Sequence, residues 1–257
     1  MKVIVIGDTC IDEYVYCSTK RFCPDAPVPV IKPLYNVKSL GMAGNVADNL
    51  GGLGIKTKVI SNTERIKKVR YVDDRTNHMF IRVDKEADDI TPLSWEVLEA
   101  INFKEYDGVV VSDYNKGFIS NDQLRYIGEN SKVSIMDSKR ILTDKIVETY
   151  TFVKLNESEK KLNSNLISNN IITTLGSNGA IYQGKHFTVE EVAVRDTSGA
   201  GDSFVAGFVY NYLRTSNVWD SIDFANKCAT QVVQKKGTAK IDIKEIKDKS
   251  YINEYKN

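Results

Sequence analysis

Five short runs, at 3–6, 109–112, 133–136, 152–153 and 171–175, are mainly β-branched and apolar, and each is followed, at once or within three residues, by Asp, Asn or Gly. Runs this short and this apolar offer no polar side to solvent, so they read as strands buried on both faces of a parallel sheet. Segments with helical spacing lie among and after them, at 45–53, 93–101, 122–129, 204–213 and 222–234. Parallel neighbours need a crossover, and a helix supplies it. The alternation therefore predicts an α/β fold, a doubly wound and mostly parallel sheet flanked by helices. Ligands gather at the carboxyl ends of the strands in such sheets, which is where Asp8, Asp113, Asp137, Asn156 and Gly176 fall.

Two stretches break the alternation: 13–17 with 28–37, and 69–74 with 79–84 around a turn at Arg75-Thr76-Asn77. They read as antiparallel β-structure outside the main sheet. The 257 residues suit one large α/β domain, so a single domain over 1–257 is expected, with these segments (about 13–37 and 69–84) inserted in it. A net charge of +1, with acids and bases interspersed, leaves no basic face for nucleic acid. Cys10, Cys17, Cys23 and Cys228 form no CxxC pair, so neither a zinc site nor a disulfide framework is indicated. No apolar run approaches the roughly 20 residues that span a bilayer. A soluble, cytoplasmic protein that binds small molecules is expected. The charged tail from Lys244 reads as a short helix or a frayed end.

The chemistry is concentrated in Asp196-Thr197-Ser198-Gly199-Ala200-Gly201-Asp202, which runs into an apolar helical stretch beginning at Phe204. A helix start leaves backbone N–H groups unpaired and partly positive, and small residues at 199–201 let a phosphate approach them. Asp202 would stand beside that anion, free to take a proton. Taken as an isolated word, the stretch is equally a tight loop with a helix-capping acid. A Walker loop is absent, since the nearest stretch, Gly51 to Thr57, separates its glycines from its lysine. No G-x-G-x-x-G follows the first run, and protein-kinase catalytic words are missing. His78 and His186 lie far from the glycine-rich words, so a carboxylate base is favoured over histidine.

The word at 196–202 resembles the second signature of the PfkB (ribokinase-like) carbohydrate kinases. That resemblance implies a ribokinase-like fold with a small β-lid formed by the two inserted segments, which closes over the sugar and often pairs with a second subunit as a homodimer. It implies Asp202 as base, with the amides of Gly199, Ala200 and Gly201 around the transferring phosphoryl group. Gly41-Met42-Ala43-Gly44-Asn45 resembles the family's first signature, with Met42 where a second glycine is usual. By that likeness Asp12, Gly41 and Asn45 bind the sugar. Asn156 and Glu159 match an N-x-x-E word that organises magnesium and phosphates, Glu159 through water, although unaided the same letters are a capping box. Thr174, Gly176, Ser177 and Gly179 match a nucleotide-contacting turn, and Asn226 a residue flanking adenine.

Within the family the likeness is strongest to the D-glycero-D-manno-heptose 7-phosphate kinases. It rests on Pro24-Asp25-Ala26-Pro27-Val28-Pro29-Val30, Arg82-Val83-Asp84, Ser112-Asp113-Tyr114-Asn115-Lys116-Gly117, Asp137-Ser138-Lys139 and Lys236-Gly237-Thr238-Ala239. Lys116 and Lys139 follow strands at the ligand edge, where an ammonium could meet the distal phosphate of a sugar phosphate. The implied reaction transfers a phosphoryl group from ATP, with Mg2+ and in some members a monovalent cation, to the anomeric hydroxyl. Adenylyl transfer would fall to a separate nucleotidyltransferase. A kinase for fructose, ribose or a nucleoside, and a noncatalytic ligand-binding relative, remain open alternatives. Two connections, 61–69 and 159–171, are shorter than in the family, and the second is expected to have lost a surface helix.

Overall fold

A computed structural model describes residues 1–87 and 89–246. The tail reading therefore falls, from residue 247 on, outside the described residues. The strands are β1 (Lys2–Gly7), β2 (Thr9–Phe22), β3 (Pro29–Met42), β4 (Lys56–Ile60), β5 (Lys67–Asp73), β6 (Met79–Lys85), β7 (Gly108–Asp113), β8 (Ser134–Ser138), β9 (Phe152–Asn156), β10 (Ile171–Thr174), β11 (Ala180–Tyr182) and β12 (Lys185–Phe187). The helices are α1 (Ala43–Gly52), α2 (Trp95–Glu99), α3 (Asn121–Asn130), α4 (Asp144–Val147), α5 (Glu157–Leu162), α6 (Ala200–Thr215) and α7 (Val218–Val232).

Eight strands form the main sheet in the order β12-β11-β10-β9-β8-β7-β1-β4. Pairing is parallel from β4 through β10 and antiparallel only at β11 and β12. The five expected strands sit at its centre, where both faces are covered. Val3 and Val5 pack with α1, α6 and α7 on one face, while Ile4 and Ile6 pack with α2, α3 and α4 on the other. That alternation within one strand explains why β1 must be apolar throughout. The strands missed in the sequence lie at the edges. In β4, lysines at 56 and 58 interrupt the apolar pattern because that edge faces solvent, and β11 and β12 are three residues each.

A second sheet, β3-β2-β5-β6, carries the two inserted segments. Its hairpins β2–β3 and β5–β6 are antiparallel as expected, but β2 and β5 pair in parallel. The reason is the route of the chain: after β3 it passes through α1 and β4 in the main sheet before returning, and such a return favours the parallel sense. The connection from β4 to β5 contains no helix among its residues 61–66, in line with the expected shortening. Between β9 and β10 a helix survives, contrary to expectation, as the six-residue α5. The capping box of Asn156 and Glu159 is enough to start one turn and a half there.

Candidate active site

Gly199 begins α6 in the left-handed conformation, φ 80°, and a Cβ there would lie 2.6 Å from the Asn45 amide nitrogen. No L side chain fits that turn without moving Asn45. The turn sets Asp202 at the third residue of the helix, where its side chain is buried. Asn45 Nδ2 donates to Asp202 Oδ2 at 2.8 Å, and the Tyr114 hydroxyl donates to Oδ1 at 3.2 Å. Asp202 makes no cap hydrogen bond, which removes the plain capping reading. Burial pushes its carboxyl up to about 6, against the Asn45 bond; Asp137 adds to the rise, while Lys154 and Tyr114 restrain it. A buried carboxylate poised near neutrality is the environment a general base requires.

The amides beside it differ from expectation in one respect. Ala200 N–H donates to the Thr197 carbonyl at 3.2 Å, so it closes the turn instead of facing a ligand. The N–H groups of Gly199, Gly201 and Asp202 have no acceptor among the described residues. The anion cradle is thus offset by one residue from Gly199-Ala200-Gly201.

A cavity of about 900 Å³ opens over this turn, lined by Tyr114, Asp137, Lys139, Lys154, Asn156, Thr174, the 176–179 turn, Thr197 to Asp202 and Asn226. Thr174, Gly176, Ser177 and Gly179 therefore lie where the sequence placed them. Asn226 lines the same wall, but its amide donates to the Phe187 carbonyl at 3.2 Å and so fixes the wall itself. Asn156 N–H and Nδ2 donate to the two Glu159 oxygens, each at 2.7 Å, and Lys139 Nζ also binds Glu159 Oε1. Below the turn, the buried Lys154 ammonium donates to Asp137 Oδ2 at 3.0 Å, with Lys139 Nζ 3.7 Å from Asp137 Oδ1. Burial pushes the Asp137 carboxyl up, yet the ammonium groups of Lys154 and Lys139 outweigh it and hold it below its ordinary value.

Of the expected sugar-binding residues, Asp12, Gly41 and Asn45 do not line this cavity, and Asp12 and Gly41 lie in the second sheet. Asp12 and Arg70, both buried, pair at 2.5 Å between β2 and β5, and the guanidinium stands over the Tyr14 ring. Gly41 is opposite Cys10 at the end of β3, beside Asp12. Met42 holds φ 58°, so the turn keeps a glycine-like backbone despite its side chain. Lys116 is bound to Glu86 at 2.5 Å and does not line the cavity; Lys139 lines it, but on the Glu159 side. Neither lysine is beside Asp12.

The sequence model of the pfkB family carbohydrate kinases matches residues 148–245, the part of the chain holding the N-x-x-E word, the nucleotide wall and the glycine turn. Over that stretch the chain is similar to the pfkB-family carbohydrate kinases. It is 28% identical over 300 residues to the bifunctional protein HldE of a Nitratiruptor species, and 28% over 304 residues to that of Helicobacter acinonychis. Those matches cover 96% and 95% of this chain, but the chain spans only 64% and 65% of these relatives. The fold is similar to that of phosphofructokinase-2 from Escherichia coli in complex with potassium, with a TM-score of 0.73 at 13% identity and 98% of each chain covered. Ribokinase from Thermotoga maritima gives 0.69 at 17% identity, covering 96% of this chain and 98% of that one.

Three residues of the candidate site escaped the sequence reading. Arg70 and Tyr114 reach the site through sheet register, which no local word reveals. Lys154 left a signal: it stands inside the apolar run Phe-Val-Lys-Leu-Asn, all but the last residue buried. A lysine inside a buried strand needs a partner of opposite charge. Among the described residues no cluster of three or more His, Cys, Asp or Glu could hold a metal alone. Both Glu159 oxygens are already bound within the protein. Such a donor set would suit a magnesium held mainly by nucleotide phosphates and water and not by direct carboxylate ligation.

Proposed function

We propose that the protein transfers the γ-phosphoryl group of ATP to the anomeric hydroxyl of D-glycero-D-manno-heptose 7-phosphate, giving the 1,7-bisphosphate and ADP. The observation carrying this reading is the buried Asp202, held by Asn45 and Tyr114 beside three unpaired amides at the head of α6. The likeness over most of the chain to bifunctional HldE proteins supports the heptose assignment. Asp202 accepts the hydroxyl proton while the amides of Gly199, Gly201 and Asp202 hold the developing charge. A magnesium ion, when bound, would supply further neutralisation, and Glu159 would help hold it through water; a monovalent cation, as in the potassium complex of phosphofructokinase-2 from Escherichia coli, is a further candidate requirement. Asp12 and Arg70 meet sugar hydroxyls, and the sheet β3-β2-β5-β6 closes over them as a lid within one domain of 1–257.

The kinase works in the cytoplasm on this reading, with a separate nucleotidyltransferase consuming its product, and pairs through the lid with a second copy. Met42, in a backbone conformation where a glycine would be unstrained, favours a second reading in which another sugar, such as fructose, ribose or a nucleoside, is the acceptor. ADP release measured across phosphorylated and unphosphorylated sugars separates the two. Preference for a sugar lacking a distal phosphate removes the heptose reading, and turnover of any sugar removes a noncatalytic role.

A further inference from the structure

We propose that Lys154 is a catalytic residue: its ammonium, braced by Asp137, holds an oxygen of the phosphoryl group in flight from beneath the glycine turn. The inference rests on the kinase reading above and adds a residue to it. Lys154 and Asp137 are each 2% exposed and directly paired across the adjacent parallel strands β9 and β8. An ion pair so placed is poor value for stability, since well-packed apolar residues of similar volume usually do as well or better. Position supplies the better account.

An ammonium has three donors, and Asp137 Oδ2 takes one at 3.0 Å. No other acceptor is bound to Lys154 among the described residues, yet the side chain lines the cavity. Its neighbours there are committed: Lys139 to Glu159 and Asp137, Lys116 to Glu86 outside the cavity. A Cβ placed on Gly201 would come within 3.2 Å of Lys154 Nζ. The ammonium therefore lies against the turn whose free amides face the same space, and Gly201 is small because a cation sits there. Backbone N–H groups approach a phosphate from one side, and Lys154 from below.

In the step itself the acceptor oxygen forms a bond to phosphorus as the bond from phosphorus to the bridging oxygen breaks. That bond's electron pair leaves on ADP, and the hydroxyl proton passes to Asp202. Charge spreads over the three equatorial oxygens during transfer, and a desolvated cation preorganised beside them stabilises it more than it stabilises bound ATP.

Lys154→Met alone strands a buried carboxylate, so the decisive variant is Lys154→Met with Asp137→Asn, which is neutral. ADP release is measured with ATP and whichever sugar the wild type turns over best, alongside ATP affinity by calorimetry and thermal unfolding. The expected result is a folded double variant with nearly unchanged ATP affinity and kcat lowered about 100-fold or more. Near-wild-type kcat in that variant, or a loss confined to the KM for ATP, overturns the proposal. Should the double variant not fold, Lys154→Arg keeps a charge for Asp137 but displaces it, and full kcat there is equally fatal. A wild type that turns over no sugar defeats both this inference and the kinase reading, and the wild-type arm identifies that case.

Discussion

At the residue scale the account turns on Asp202, and its environment makes two predictions of opposite sign. Its folded value of about 6 lies above the ordinary 3.8, so between these two pH values the folded state holds a proton that the unfolded chain has released. Stability from this group is thus present below pH 4 and lost as pH rises through about 6. Asp202→Asn should flatten that slope and raise stability at pH 7.5 by up to about 3 kcal/mol, read by thermal unfolding. The same substitution should lower kcat about 100- to 10,000-fold with ATP affinity kept. A capping role would do the reverse, losing about 1 kcal/mol and keeping activity. The acid limb of kcat/KM should fall near pH 6, and Tyr114→Phe, which removes a bond favouring the ionised carboxylate, should move that limb upward. Asp202, Asn45 and Gly199 were legible in the sequence because each sits in a contiguous word. Arg70 and Tyr114 were not, because their contacts are made across strands that local letters do not align.

At the element scale the head of α6 and the start of α5 are both set by a few polar contacts. Gly199→Ala would force a side chain into a left-handed backbone and against Asn45, so it should cost about 1–2 kcal/mol and also loosen Asp202. Loss of stability with full activity would show that Asn45 is not needed to hold the base. Asn156→Ala breaks the reciprocal bonds with Glu159 on a helix of six residues. About 1 kcal/mol should be lost, together with weaker ATP binding measured by calorimetry. The central strands were readable from their uninterrupted apolar runs, since burial on both faces leaves one signature. The edge strands were not: β4 shows solvent its lysines, and β11 and β12 are too short to carry a period. The shift of the anion cradle by one residue could not be read either, because whether Ala200 closes the turn depends on backbone angles.

At the scale of the whole molecule the chain builds two sheets, and it reaches the second twice from the first. The β5–β6 turn is tied to segments flanking α6 and α7 by Lys236 Nζ donating to the Asp74 carbonyl at 2.8 Å and Asn77 Nδ2 to that of Arg195 at 3.0 Å. The hairpins of the second sheet were evident as stretches that break the strand–helix alternation, but their parallel junction emerged only from the path through α1 and β4. In the second sheet, Ile81 and Val83 of β6 are exposed opposite Tyr71 and Val69. If this face joins two copies, Ile81→Lys should turn a dimer into a monomer in sedimentation equilibrium; an unchanged mass would place any pairing elsewhere. No described helix is long and apolar enough to cross a membrane. The most direct test of the central claim is ADP release from ATP with D-glycero-D-manno-heptose 7-phosphate, run side by side on the wild type and Asp202→Asn. The account predicts sugar-dependent turnover that nearly vanishes in the variant, whereas equal turnover in both proteins, or none in the wild type with any sugar, would contradict it.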